Sequence, residues 1–243
     1  HTGRALIGAD GIHSKVRESL FGLQSPTFTG NVAWRALVPT SSLPENLIQP
    51  ASTAWWGPGK HFVHYYVRGG TMVNCVCVVE SKEWQDESWS INGHFLDLAA
   101  EFADWHPTIN TLLENVDKQN LFKWGLFDRP PMDQWSVGRV TLLGDACHPT
   151  LPFMAQGAAM AIEDAAVIAA CLNQIQDPSA AFLRYEKLRK KRTAMIQQLS
   201  RRNAKVFHLK GFAAWARNRA AKRAGGNTMK KLYGFDALSV FRD

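Results

Sequence analysis

Two groups of residues in this 243-residue chain have types and spacings suited to chemistry. The first runs Gly144-Asp145-Ala146-Cys147-His148-Pro149, then Pro152, then Gln156-Gly157-Ala158-Ala159. An acid just after a short apolar run, Val140 to Leu143, sits where open α/β sheets place ligand contacts. A helix opening on Gly157, Ala158 and Ala159 lets a large flat group approach its backbone, and its free N–H groups favour a partly negative oxygen. The second group is His61, His64, Tyr65 and Tyr66, rings that hydrogen-bond and relay protons. Alternate strand residues share a face, so His64 groups with Tyr66, while His61 and Tyr65 converge. Packing or backbone bonding is the competing role for all four. Arg35, Arg68 and Arg129 each offer a fork for a carboxylate, or an ion pair.

The elements that must position these residues follow from pattern. Val140 to Leu143 suits a strand buried on both faces. The prolines of His148–Pro152 forbid a helix there, and a small-residue helix then runs from Gln156 to about Leu172. Arg4 to Gly11 reads as a strand entering a glycine turn, and Ile12 to Gly22 as a helix stopped by Gly22. Asn31–Pro39 and Leu121–Arg129 read as strands, and Phe62–Arg68 with Thr71–Val79 as a hairpin about Gly69-Gly70. Phe95, Leu98, Phe102 and Trp105 fall at helical spacing within Ile91–Trp105. Asp177-Pro178 caps a long helix reaching about Lys210.

These motifs resemble the single-component flavoprotein aromatic hydroxylases, close to the salicylate and 6-hydroxynicotinate hydroxylases. Gly144, Asp145, His148, Pro149, Pro152, Gln156, Gly157, Glu163 and Asp164 match the second flavin fingerprint of that family. Gly8, Ala9, Asp10, Gly11, Ser14, Val16 and Arg17 match its DG motif. The resemblance implies an α/β (α+β) fold: the remainder of a Rossmann-type FAD domain with an inserted mixed β-sheet substrate domain and C-terminal helices. Residues 1–24 and 133–176 would belong to the FAD domain, 25–132 to the substrate domain and 177–243 to the helical region.

It further implies an oxidoreductase using FAD, NAD(P)H and O2 to hydroxylate a small aromatic hydroxy acid, with decarboxylation as an accompaniment. Asp10, Gly11, Arg17, Gly144, Asp145, Pro152, Gly157, Ala158 and Ala159 would contact FAD. His61 and Tyr65, at the His-x-x-x-Tyr spacing of related hydroxylases, would be catalytic. His64, Tyr66 and Arg35 would bind substrate. His148 reads either as a base near the flavin or as loop scaffold. The G-x-G-x-x-G that opens family members does not occur in the sequence. A fragment that does not bind FAD alone, or one half of a split enzyme whose other half is a separate chain, is therefore an alternative. A homodimer is the other partner expected.

Composition narrows the classes. At 46% hydrophobic and 20% charged, the chain suits a folded globular protein rather than a disordered one. It contains no apolar run long enough for a bilayer and has four cysteines, so a reducing cytoplasm and no membrane are expected. Cys75 and Cys77 share a strand face, and with Cys147 they read as buried thiols rather than metal ligands. Net charge is +7, with sixteen Lys and Arg between Arg184 and Lys231. That density raises a nucleic-acid module as an alternative, although a solvated helix face is the plainer reading, and no nucleic-acid partner is expected. Trp55, Trp56, Trp84 and Trp89 read as core or as walls of an aromatic pocket.

Overall fold

Alternating apolar and polar residues build most of the sheet structure, and small residues build the helix that follows it. The computed structural model describes residues 2–82, 91–223 and 232–241. The chain divides into two compact units. The first comprises His1–Thr27, Phe127–Lys205 and Arg219–Asp243, and the second Phe28–Leu126 with Val206–Asn218. The helical region after residue 177 is thus shared between the units rather than separate.

In the first unit β1 (Leu6–Gly8) pairs parallel with β9 (Val140–Leu142), which pairs antiparallel with β8 (Ser136–Val137). Helix α1 (Lys15–Phe21) is capped by Ser14, whose hydroxyl accepts from the Arg17 N–H. Gly8 is required where β1 meets α1, because a Cβ there would lie 2.7 Å from Cβ of Val16. Helix α4 (Gly157–Gln174) turns Met160, Asp164, Val167, Ile168 and Cys171 inward. Helix α5 (Pro178–Phe207) contributes Phe182 and Tyr185 to a core with Trp135, Leu142 and Cys171.

The second unit holds a six-stranded sheet in the order β3-β4-β5-β2-β7-β6. Its strands are β2 (Thr27–Pro39), β3 (Thr53–Gly57), β4 (Lys60–Val67), β5 (Met72–Glu80), β6 (Ile91–Asn92) and β7 (Phe122–Asp128). The hairpin read from sequence is β4–β5, antiparallel from Lys60↔Val79 to Val67↔Met72. One sheet face carries Val32, Trp34, Phe62, Cys75 and Cys77, which pack with Leu98 and Phe102 and with Ile109, Leu112 and Leu113. Those partners lie on and beside α2 (Phe95–Glu101) and on α3 (Pro107–Glu114). Burying this many large side chains contributes about 1.5–3 kcal/mol for each aliphatic or aromatic one.

Two features differ from the sequence reading. The helix expected over Ile91–Trp105 spans only Phe95–Glu101, because Ile91 and Asn92 pair with Lys123 and Phe122 as a strand. Gly93 marks the break, where a Cβ would come within 3.0 Å of the Trp34 ring. Helix α3 carries no counterpart in the sequence reading. Helix α6 (Gly211–Arg223) places no side chain in a core.

Candidate functional site

The residues of the first motif form a braced loop. After β9, Leu143 leads into a single 3-10 turn over Gly144–Ala146. Gly144 has φ +63°, and its missing Cβ would lie 3.1 Å from that of Ala161. Its N–H donates to Asp164 Oδ2 at 3.1 Å. The same oxygen is 2.5 Å from His148 Nε2, and Asp164 Oδ1 accepts from Arg189 Nε at 2.7 Å. His148, Asp164 and Arg189 are all buried. The His148 and Arg189 bonds outweigh burial and hold the Asp164 carboxyl below its ordinary value. His148 thus serves as scaffold in this arrangement.

Glu163 extends the network, bridging Arg189 and making a two-pronged pair with Arg192. Arg192 also donates to the Leu232 carbonyl and stacks on Phe235. Helix α5 supplies further braces: Gln197 donates to the Pro149 carbonyl at 2.9 Å and Ser200 to that of Leu151 at 2.6 Å. Tyr233 donates to the Met154 carbonyl at 2.9 Å. The carbonyls of Pro149, Leu151 and Met154 are therefore occupied, and Pro152, Ala155 and Ala158 remain exposed.

The start of α4 is the open side of this construction. Gln156, at its N-cap, makes no side-chain cap bond, so the helix's first N–H groups are not served by a cap. Thr150 Oγ1 is buried without a partner, and its methyl lies 3.5 Å from where a Gly157 Cβ would be. An uncapped helix start, an unpaired hydroxyl and small residues at 157–159 fit the oxygen-rich edge of a flat cofactor. Asp145 reaches solvent, yet desolvation by the surrounding loop raises its carboxyl, with His148 pulling the other way.

The other predicted cofactor residues support the loop from α1. Asp10 accepts from the N–H groups of Lys15 and Val16 at 2.8 and 3.2 Å. Although desolvation opposes it, hydrogen bonding with Ser14 and these amides holds its carboxyl low. Gly11 is the left-handed turn residue before α1. Arg17 is buried and donates to the carbonyls of Ala146 and Ile12 at 2.8 and 2.5 Å. Its guanidinium ties α1 to the turn that carries Asp145.

Sulfur and carboxylate also meet here: ligand atoms of Cys147, His148 and Asp164 lie within 4.8 Å of one another. Both Asp164 oxygens already accept hydrogen bonds, and burial pushes the Cys147 thiol well up, with Asp164 adding to it. The donor set is that of a hydrogen-bonded scaffold.

In the second unit the strand register sorts the remaining predicted residues by face. His61, Val63 and Tyr65 pair across to Val78, Val76 and Asn74, and Arg35 and Leu37 pair to Val76 and Asn74. Arg35 donates from Nε to Asn74 Oδ1 at 2.9 Å. His61, Tyr65, Arg35 and Asn74 therefore share one face. His64 and Tyr66 lie on the other, with Phe62, Cys75 and Val73, against the helices. Both ring nitrogens of His64 are buried without partners, burial lowers its basicity, and Tyr66 donates to the Ile48 carbonyl at 3.4 Å. The sequence reading groups His64 and Tyr66 with the substrate set, whereas the strand register puts them on the packed side of the sheet.

His61 is 3% exposed, and its Nδ1 is 2.8 Å from Nε2 of His208. Burial, with His208 beside it, pushes its pKa down to about 3. Trp56 stacks on Phe207, and Trp55 on His106. Trp84 and Trp89 lie outside the described residues. Arg68 sits in the hairpin turn, while Arg129 donates to the Gln24 carbonyl within the first unit. His208 is the residue sequence reasoning missed. It lies 147 positions from its partner His61, and no motif joins them.

A braced strand–turn–loop–helix of this kind, with an acid at the strand end and an uncapped small-residue helix start, defines a cofactor-binding α/β protein. The FAD binding domain family matches residues 3–203, and the chain belongs to that family. It is 42% identical over 202 residues to 6-hydroxynicotinate 3-monooxygenase of Bordetella bronchiseptica, covering 82% of this chain and 52% of that protein. It is 40% identical over 236 residues to 3-hydroxybenzoate 6-hydroxylase of Polaromonas naphthalenivorans, covering 96% and 57%. Among solved structures it resembles Klebsiella pneumoniae HpxO complexed with FAD and uric acid, with a TM-score of 0.81 and 29% identity over 93% of this chain and 57% of that one. The chain thus spans between half and three fifths of the length of these relatives. No helix among the described residues is long and apolar enough to cross a membrane.

Proposed function

We propose that the chain forms part of an FAD-dependent monooxygenase that hydroxylates a small aromatic hydroxy acid, with NAD(P)H as reductant. The observation that carries this reading is the uncapped start of α4 beside the unpaired Thr150 hydroxyl, on a loop braced by Asp164, Gln197 and Ser200. In this reading Asp145, Pro152 and the backbone of Gly157, Ala158 and Ala159 hold FAD, while Asp10, Gly11, Arg17 and Gly144 fix the turn that presents Asp145. When bound, FAD supplies the reduction and oxygen transfer that amino-acid side chains cannot.

The substrate-side work falls to the sheet face of His61, Tyr65 and Arg35. Arg35, held through Nε by Asn74, directs the rest of its guanidinium to the substrate carboxylate. Tyr65 hydrogen-bonds the ring hydroxyl, and His61 takes its proton, which makes the ring electron-rich enough to accept oxygen. His64 and Tyr66 set the sheet's shape from behind. The names of the relatives support a hydroxybenzoate or hydroxypyridine carboxylate as substrate. Loss of the carboxylate accompanies hydroxylation where it occupies the carbon attacked.

The test is to incubate FAD-loaded protein with NADH or NADPH and a panel of 6-hydroxynicotinate, 3-hydroxybenzoate and salicylate, scoring hydroxylated product and released CO2. Product from one of them, abolished in Asp145→Ala, is the expected result. Reductant oxidation that yields peroxide alone with every aromatic acid contradicts the reading.

A further inference from the structure

The Met154 carbonyl and the Ala155 N–H belong to one rigid peptide plane, and both ends of that plane are pinned. The Ala155 N–H donates to the Pro152 carbonyl at 3.0 Å, closing the 3-10 turn over Pro152–Met154. The Met154 carbonyl accepts from the Tyr233 hydroxyl at 2.9 Å. The residue that follows is strained. Ala155 has φ +49° and ψ +36°, the left-handed region that L side chains seldom enter, and an alanine has no side-chain oxygen to offset the cost. Among the described residues of the first unit it is the one non-glycine residue there. One position further on, Gln156 opens α4.

Tyr233 is itself anchored through its neighbours. Leu232 is buried in a cluster with Met154, Met160 and Ile196, and its carbonyl accepts from Arg192 Nη2 at 3.1 Å. The Phe235 ring lies under the Arg192 guanidinium, 3.9 Å from its centroid. Asn203 on α5 donates to the Met154 sulfur, so the Met154 side chain is fixed as well. We propose that Tyr233 is a positioning residue: its bond to the Met154 carbonyl keeps Ala155 left-handed and so aims the first N–H groups of α4. The consequence for FAD rests on the reading of that helix start as the flavin site.

The strain of one left-handed alanine and the net gain from one hydrogen bond are of similar size, so a single bond decides between conformations. Without it the plane between Met154 and Ala155 turns, and Ala155 relaxes to an extended or right-handed conformation. The N–H groups of Gly157, Ala158 and Ala159 then lose their direction. A tyrosine present only for packing would be buried. Tyr233 is 55% exposed, yet its hydroxyl donates to a loop carbonyl rather than to water alone.

The test uses the full chain with carbon-13-labelled alanine, whose Cα and Cβ shifts read the Ala155 backbone in flavin-free protein. The signal lost in Ala155→Gly assigns it, and fluorescence quenching gives FAD affinity for the same proteins. The expected result is a left-handed Ala155 signal in the wild type that moves toward extended or helical values in Tyr233→Phe. FAD binds that variant about fivefold or more weakly. Glycine enters the left-handed region freely, so in the Ala155→Gly background Tyr233→Phe changes FAD affinity by less than about twofold. An unmoved Ala155 signal in Tyr233→Phe overturns the proposal. So does a moved signal with FAD bound as tightly as by the wild type, or an equal loss in both backgrounds, since Tyr233 would then act by another route. A wild type that takes up no FAD, with the Ala155 signal moved in Tyr233→Phe, supports the clamp and contradicts only the reading of the helix start as the flavin site.

Discussion

Asp164 shows how one buried carboxylate can organise a loop. It accepts from a backbone N–H, an imidazole and a guanidinium, so each of the three is left uncompensated if it is removed. Breaking a buried pair costs more than the pair contributes, so Asp164→Ala is expected to lower unfolding free energy by roughly 3–5 kcal/mol. An unfolding free energy from urea denaturation within about 1 kcal/mol of wild type would show that the network relaxes. His61 gives a pH signature of opposite origin. Its folded pKa of about 3 lies below the ordinary 6.5, so the unfolded chain binds the extra proton. The stability it contributes is complete above pH 6.5 and is lost as pH falls toward 3. Urea unfolding at several pH values should therefore show a steeper acid decline in wild type than in His61→Gln. Parallel slopes would mean His61 is solvated.

The same residues show what sequence alone conveys. Gly144, Asp145, His148, Gln156 and Gly157 were legible because the loop's chemistry lies within one continuous stretch. Pairing of His148 with Asp164 was not, since two residues sixteen apart meet only once a strand has turned into a helix. His64 and Tyr66 were separable from His61 and Tyr65 by alternation, but alternation does not say which face the helices cover.

At the scale of elements, strands and the long helices followed from pattern, and turns explain the departures. The β4–β5 hairpin was legible from its alternation and its Gly69-Gly70 turn, both glycines having positive φ. The helix near Phe95 was placed too early because apolar spacing continues back through Ile91, where β7 captures the chain instead. Helix α3, with Pro107 in its first turn and His106 accepting from the Thr108 N–H, buries Ile109, Leu112 and Leu113. Close packing makes Gly8 the test of the β1–α1 junction. Gly8→Ala drives a methyl into Val16 and Leu142, and a loss of about 1–3 kcal/mol is expected by thermal or urea unfolding. An unchanged midpoint would show that α1 can move away freely.

Across the whole molecule, four arginines of the basic C-terminal region are bonded internally. Arg189 and Arg192 pair with Glu163 and Asp164, Arg201 with Asp128, and Arg217 with the end of α5. Those four are committed to structure, and the family match favours the flavoprotein reading over a nucleic-acid module. The family assignment covers residues 3–203 and is independent of any charge argument. On the proposed reading, the braced loop and the start of α4 hold FAD. The most direct measurement is a flavin titration of the purified protein, following quenching of FAD fluorescence and the visible spectrum, alongside the variant Gly157→Val. Saturable binding in the wild type, weakened on the order of tenfold or more by a side chain at the helix start, is the predicted result. Equal binding by both proteins, or a protein that stays colourless with excess FAD, would contradict the account.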